Sequence, residues 1–234
     1  MPKSEAINID CIEAMKQLPD NYYALGFADP PYAINMSNIS KIGKRRKSKC
    51  YTNYLPSNWD KNRPTSEFWY QFNRVTVEQI VFGANYFSQF LGASKGWFFW
   101  NKGQPADISY AMGEFIYSSF DVPAQMLNFY VASYKNNVSN NPRLVKNMKI
   151  HPAQKPIELY RYFINRFCKP GDHIVDTHLG SGSSRIAAHQ LGIDFTGYEI
   201  DADILAASQT RFDTEINGII VLKDKVLTQK KIAF

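Results

Sequence analysis

The chain has 234 residues, 44% hydrophobic and 15% aromatic, enough for one α/β domain with a full core and a small insert. Its formal net charge is +6, from 27 basic and 21 acidic side chains, and six of the positive charges fall between Lys41 and Lys49. No stretch approaches the roughly 18 apolar residues of a membrane span, Met1–Glu5 leads into no apolar leader, and Cys11, Cys50 and Cys168 are an odd, scattered set, so a membrane protein and a disulfide scaffold are excluded and a reducing cytoplasm is expected.

Ala6–Asp10 reads as a strand, Ile12–Gln17 as a short helix and Leu18-Pro19-Asp20-Asn21 as a turn. Tyr22–Ala28 is a short apolar run that suits a buried strand, and it stops at Asp29-Pro30-Pro31-Tyr32. The two prolines end the strand and stiffen the backbone just past its C-terminal end. In an open α/β sheet that edge is where ligands bind. A carboxylate, a proline carbonyl and an aromatic ring held there suit a flat ring bearing an amine. Asp-Pro-Pro also makes ordinary turns, so the tetrapeptide alone leaves both readings open.

Residues 33–65 have little periodicity and much Lys, Asn, Ser and Pro, which predicts a long mobile loop. Within it Lys44, Arg45, Arg46 and Lys47 would hang beside the tetrapeptide and steer a polyanion, although such a run also occurs as a plain solvated loop. A helix over Ser66–Thr76 follows, then a strand at Gln79–Phe82, a helix near Asn85–Phe90, a strand at Gly96–Trp100, and β-rich segments at Glu114–Phe120 and Gln125–Ser133. Residues 121–150 read as an insert whose polar part, with Asn140, Asn141, Arg143 and Lys146, is either a surface loop or a target-recognition element, since Asn and Arg suit bidentate contacts to adenine and guanine edges.

From Lys155 the pattern is regular. Pro156 suits a first helical position, and Tyr160, Phe163, Ile164 and Phe167 make one apolar stripe. Strand Ile174–Asp176, helix Ser183–Gln190, strand Phe195–Tyr198 and helix Asp203–Phe212 complete an alternation that predicts a doubly wound, mostly parallel α/β sheet. Gly180-Ser181-Gly182 between strand and helix, with Glu199 at the next strand end, is the layout of an adenosine-binding unit. A dinucleotide fingerprint wants a small residue three places after the second glycine, where this chain has Arg185, so the loop suits a nucleoside without a pyrophosphate.

Taken together these segments resemble the β-class amino-group DNA methyltransferases of bacteria and their phages. Asp29-Pro30-Pro31-Tyr32 is similar to the family's catalytic motif, His151-Pro152-Ala153-Gln154-Lys155-Pro156 to the segment before the cofactor site, Asp176-Thr177-His178-Leu179-Gly180-Ser181-Gly182 to the S-adenosylmethionine loop, and Gly197-Tyr198-Glu199-Ile200-Asp201 to the strand end that holds the ribose. The motifs stand in the order of that class, and the likeness covers roughly Asn8 to Phe212. The resemblance implies one methyltransferase domain over residues 1–234 with a Rossmann-like, seven-stranded-type sheet and a small inserted recognition region. It implies transfer of a methyl group from S-adenosylmethionine to the exocyclic amine of a base flipped out of double-stranded DNA, leaving S-adenosylhomocysteine, without a metal.

By the same resemblance Asp29, Pro30, Pro31 and Tyr32 would be catalytic, and Asp10, Asp29, Lys155, Asp176, His178, Gly180, Ser181, Gly182, Glu199 and Ile200 would hold the cofactor. Lys44, Arg45, Arg46, Lys47, Arg143 and Lys146 would touch DNA. Thr177 and His178 stand where the family usually has Pro and Phe, and His178 is expected to fill the phenylalanine space. Asp at the first motif position favours adenine-N6, since the cytosine-N4 enzymes more often carry Ser and the protein-glutamine enzymes typically show Asn. Cytosine-N4 transfer is the alternative, and an inactive DNA-binding module a lesser one. By the same resemblance the candidate partners are a second copy of the chain and a cognate restriction endonuclease, neither of which the sequence decides, and the cytoplasm of a bacterial or phage-infected cell is the expected location. Methylation at cytosine carbon-5 would need a cysteine placed directly after a proline; Cys11, Cys50 and Cys168 follow Asp10, Lys49 and Phe167. His151, His173, His178 and His189 have no metal-ligand spacing.

Overall fold

A computed structural model describes residues 1–34, 62–104, 111–129, 150, 153–222 and 225–228. Most of the expected basic loop, and all of Lys44, Arg45, Arg46, Lys47, Arg143, Lys146, His151 and Pro152, lie outside the described residues.

Strands β1 (Ser4–Asn8), β2 (Tyr23–Ala28), β3 (Thr76–Phe82), β4 (Trp97–Asn101), β5 (Gly113–Ser118), β6 (Gln125–Asn128), β7 (His173–Asp176) and β8 (Asp194–Glu199) form one sheet of eight in the order β1-β8-β7-β2-β3-β5-β4-β6. The pairs β1–β8, β8–β7, β7–β2, β2–β3 and β4–β6 are parallel, whereas β5 runs antiparallel to both β3 and β4. The mostly parallel, doubly wound α/β sheet is the expected one. A two-stranded antiparallel pair, β9 (Ile219–Leu222) with β10 (Lys225–Thr228), lies beyond the segments anticipated from sequence.

Helices cover both faces because the central strands alternate apolar side chains to either side. Leu25, Phe27, Ile80, Phe82, Ile174 and Phe195 point to one face, where they meet α3 (Ile157–Phe167) and α4 (Ser183–Gln190) through Leu159, Tyr160, Phe163, Ile164, Ala187 and Ala188. Ala28, Val81 and Val175 point to the other, against α1 (Cys11–Lys16) and α2 (Ser66–Val75) through Met15, Phe68, Trp69, Phe72 and Val75. Gly26 lets α2 sit close, since a Cβ there would lie 2.5 Å from the Phe72 ring. The last helix, α5 (Ala202–Asn217), begins at an Asp201 cap whose side chain accepts from the Asp203 and Ile204 amides.

Three local expectations change. Asp10 does not end a strand; β1 stops at Asn8 and the Asp10 carboxylate caps α1, accepting from the Ile12 amide at 2.7 Å. The helix expected at Asn85–Phe90 is a pair of 3₁₀ turns, Ala84–Tyr86 and Ser88–Phe90. Gly83, at φ +60°, turns the chain left-handed at their start, and runs this short lack the length to nucleate an α-helix. Finally, α2 passes into β3 at Thr76 with no loop, because Val75-Thr76-Val77 is a β-branched run that leaves the helix early. No helix among the described residues is long and apolar enough to cross a membrane.

Candidate active site

The parallel strands deliver a set of side chains to one rim of the sheet. Asp29 follows β2, Gly83 follows β3, Lys102 follows β4, Asp176 ends β7 and Glu199 ends β8. Because β5 alone is reversed, its beginning rather than its end reaches this rim, and it brings Glu114 there. Lys155 arrives just ahead of α3.

Asp29, Tyr32, Glu114, Lys155 and Lys102 form a compact cluster, Lys155 buried and the other four partly buried. The Lys155 ammonium, only 4% exposed, pairs with Asp29 Oδ2 and with Glu114 Oε1 at 3.2 Å, and stands 4.8 Å from the centre of the Phe82 ring. Lys102 Nζ donates to the other Glu114 oxygen at 2.9 Å. The Tyr32 hydroxyl lies 2.7 Å from Asp29 Oδ1 and 3.0 Å from Glu114 Oε1. Its ring stacks on Tyr86, with centroids 4.9 Å apart at 15°, and passes so close to Gly83 that a Cβ there would lie 2.3 Å from Tyr32 Cζ.

Charge follows from burial and pairing. Burial pushes the Asp29 carboxyl above its ordinary range; Lys155 pulls it back and the Glu114 charge adds to the rise. Glu114 feels the same burial, but Lys155 and Lys102 overcome it and hold its pKa down to about 2. Lys155 is opposed by burial and more than compensated by its two carboxylates, so it keeps its proton. Burial and the flanking carboxylates raise Tyr32, which stays a neutral phenol.

The second cluster sits beside the first, because Asp176 on β7 is in register with Phe27 on β2 and the Thr177 amide donates to the Phe27 carbonyl at 3.1 Å. Gly180 and Gly182 take positive φ values of +50° and +73°, conformations that L side chains avoid. The Gly180 amide donates to Glu199 Oε2 at 2.9 Å and the Asp201 amide to Glu199 Oε1 at 3.0 Å, which fixes the Glu199 carboxylate at the strand end. Ile200 beside it is 70% exposed. Asn8 pairs with Glu199 in the β1–β8 ladder, so Asp10 is carried close to the same strand end.

Asp176 is buried, accepting from the Ser184 hydroxyl at 2.5 Å and the His178 amide at 3.0 Å, and its burial raises its pKa to about 7. Through Ser184, in the first turn of α4, this carboxylate stands beside the start of that helix, where its charge would oppose a phosphate and favour a positively charged group. His178 is packed edge-on to Phe68 at 5.2 Å, with Nδ1 2.9 Å from the Thr177 hydroxyl, and burial lowers its pKa to about 4. It is a neutral aromatic at physiological pH. Arg211 of α5, 4% exposed, donates to the Ser181 carbonyl at 2.8 Å and to the Ser183 hydroxyl at 2.8 Å, and that hydroxyl donates to the Lys155 carbonyl at 2.7 Å.

The fold thus gathers Asp29, Tyr32 and Lys155 in one cluster, and Asp176, His178, Gly180, Ser181, Gly182 and Glu199 in its neighbour; Pro30, next to Asp29 in the chain, is buried. Sequence reading missed Glu114, Lys102, Gly83, Tyr86 and Arg211. Only Gly83 carried a local signal, a glycine directly after a strand. No group of three or more His, Cys, Asp or Glu side chains that could hold a metal occurs among the described residues.

Comparison with known proteins adds the family context. A family model described as DNA methylase matches residues 44–210, a span that holds Lys155, the Asp176–Gly182 loop and Glu199 and starts after Tyr32. The chain is 31% identical over 81 residues to the type II methyltransferase M.HpaI of Haemophilus parainfluenzae, covering 35% of this chain and 26% of that protein. It is 35% identical over 65 residues to the type II methyltransferase M2.DpnII of Streptococcus pneumoniae, covering 28% and 24%. The matched region thus spans about a quarter of these curated relatives. Among solved structures, TTHA0409 of Thermus thermophilus complexed with S-adenosyl-L-methionine is similar at a TM-score of 0.56 and 16% identity, over 92% of this chain and 97% of that one. The cytosine-N4-specific PvuII DNA methyltransferase is similar at 0.58 and 17%, over 90% and 87%.

Proposed function

This chain belongs to the DNA methylase family of amino-group (N6 and N4) methyltransferases, and on that premise we propose that it methylates the N6 amine of adenine in double-stranded DNA. One observation carries the reading. An Asp-Pro-Pro-Tyr segment at the end of β2 stands beside a glycine loop that carries the protein's own buried carboxylate, Asp176, bonded to Ser184 of α4.

S-adenosylmethionine, when bound, supplies an electrophilic methyl group on a sulfonium. Glu199 would accept from its ribose hydroxyls, Ile200 would offer its exposed apolar side chain to the adenine, and Asp176 would pair with its methionine ammonium. Asp10 would lie near the adenine amine, Lys155 at the methionine end, and His178 would close the pocket as an aromatic surface. Gly180, Ser181 and Gly182 would let the backbone pass beneath the nucleoside.

An exocyclic base amine is a poor nucleophile because its lone pair is delocalised into the ring. Asp29 and the Pro30 carbonyl, accepting its two N–H bonds, would draw it toward tetrahedral geometry and free that lone pair, an electrostatic effect set before the base arrives. Pro31 would keep the carbonyl aimed. Tyr32 and Lys155 already bond the two Asp29 oxygens, so an arriving N–H at Oδ1 would meet the Tyr32 hydrogen bond there. Flipping the base out of the duplex costs a few kcal/mol. Tyr32 would recover about 1–3 kcal/mol by stacking, on the face of its ring opposite Tyr86.

Asp29 favours adenine over cytosine-N4, whose enzymes more often place Ser there. Mass spectrometry of nucleosides from duplex DNA incubated with the protein and S-adenosylmethionine decides: N6-methyladenine is expected, and methylcytosine alone overturns the adenine reading.

A further inference from the structure

The Tyr32 hydroxyl has one proton and two carboxylate oxygens in reach, Asp29 Oδ1 at 2.7 Å and Glu114 Oε1 at 3.0 Å. A phenol donates one hydrogen bond at a time. Whichever carboxylate lacks that proton keeps its lone pairs open on the side facing the hydroxyl. We propose that Glu114 is a positioning residue of the amine-gripping site: it takes over the Tyr32 hydrogen bond when a substrate N–H arrives at Asp29 Oδ1. This inference rests on the reading of Asp29 given above. Only the hydroxyl rotates; no covalent bond is made or broken and no proton changes owner.

Three observations support the hand-over. A buried hydroxyl left without an acceptor is costly, so Tyr32 releases Asp29 only if a second acceptor is already in place. Glu114 is such an acceptor, partly buried yet kept ionised by Lys155 and Lys102 on its two oxygens. Its direction is also fixed: Lys102, itself 4.8 Å from the Trp100 ring centre, holds Oε2 and so leaves Oε1 toward Tyr32. Without Glu114, Tyr32 would bond Asp29 continuously and an incoming amine would compete with it.

The rival view is that Glu114 merely neutralises the two lysines it pairs with, Lys155 and Lys102. A double-mutant cycle separates the two. Single-turnover transfer of labelled methyl from S-adenosylmethionine to genomic DNA of a methylation-deficient host is measured for wild type, Glu114→Gln, Tyr32→Phe and the double variant, together with S-adenosylhomocysteine affinity. Glu114→Gln is expected to slow transfer by about tenfold to a hundredfold, by analogy with removal of the outer partners that orient metal ligands, with the affinity held within about twofold. In the Tyr32→Phe background the same change should have no further effect, because there is no proton left to redirect. An equal penalty in both backgrounds, or none in either, overturns the proposal. If Glu114→Gln alone does not fold, the charge-balanced pair Glu114→Gln/Lys102→Gln is compared with Lys102→Gln under the same two criteria. A wild type that transfers no methyl group removes the parent reading and this inference together, whereas an active wild type with additive variants removes this inference alone.

Discussion

Asp176→Asn is expected to stabilise the ligand-free protein, by an amount that grows with pH. The carboxyl is fully enclosed, and its pKa rises from the ordinary 3.8 to about 7. A group whose folded pKa lies above its unfolded one binds a proton on folding between the two values, so stability falls as pH climbs through that window. Each pH unit is worth 1.36 kcal/mol. The displacement of about three units therefore costs the wild type about 4 kcal/mol above pH 7, and about 2 kcal/mol at pH 5. Asparagine carries no such penalty and can still accept from the His178 amide or Ser184 hydroxyl, so the variant should gain about 2 kcal/mol at pH 5 and about 4 at pH 8.5. For a domain of this size the larger gain is a rise of roughly ten degrees in Tm. Urea unfolding of both proteins at several pH values measures the difference directly, and the other titrating groups largely cancel between them. A difference that is flat with pH, or a variant less stable than wild type at pH 8.5, refutes the reasoning. The same substitution should weaken S-adenosylhomocysteine binding, which would mark the buried charge as kept for a ligand rather than for the fold.

Asp29→Ala should abolish methyl transfer while S-adenosylhomocysteine binding by calorimetry survives; full activity in the variant would remove Asp29 from the chemistry. Gly83→Ala places a Cβ 2.3 Å from Tyr32 Cζ at a left-handed φ of +60°, so transfer should fall about tenfold or more while circular dichroism stays native. An unaffected rate would mean the Tyr32 ring position is unimportant. Replacing Lys44, Arg45, Arg46 and Lys47 by glutamine should weaken DNA binding and flatten the slope of log K against log salt by up to about four phosphate contacts. An unchanged slope would return that run to a solvated loop.

The motifs legible in the sequence are those whose chemistry sits in consecutive residues. Asp29–Tyr32 and Asp176–Gly182 each show a strand end, a turn and a polar group within a few positions, and from Lys155 onward helix and strand periods alternate without interruption. Glu114 is different. In Gly113–Ser118 it reads as one polar residue of a strand, and only the reversal of β5, a long-range pairing, carries it to the rim. Arg211 looks like an exposed helical residue and is buried because α5 lies over the Ser181–Ser183 loop. At Asn85–Phe90 the aromatic spacing imitates a helical stripe, while the deciding feature is the left-handed Gly83 before it. Asp10 was legible as an acid but not as a helix cap, since both roles place an aspartate directly after a strand.

The lone reversed strand leaves this domain adaptable in one place. A parallel crossover must travel the full height of the sheet before the next strand begins, so its length is constrained. By contrast, β4 ends at Asn101 and β5 begins at Gly113 on the same rim, beside Lys102 and Glu114. Residues could be added or removed there without rethreading a strand, which makes this connection the natural place to graft or shuffle sequence when altering what the pocket accepts.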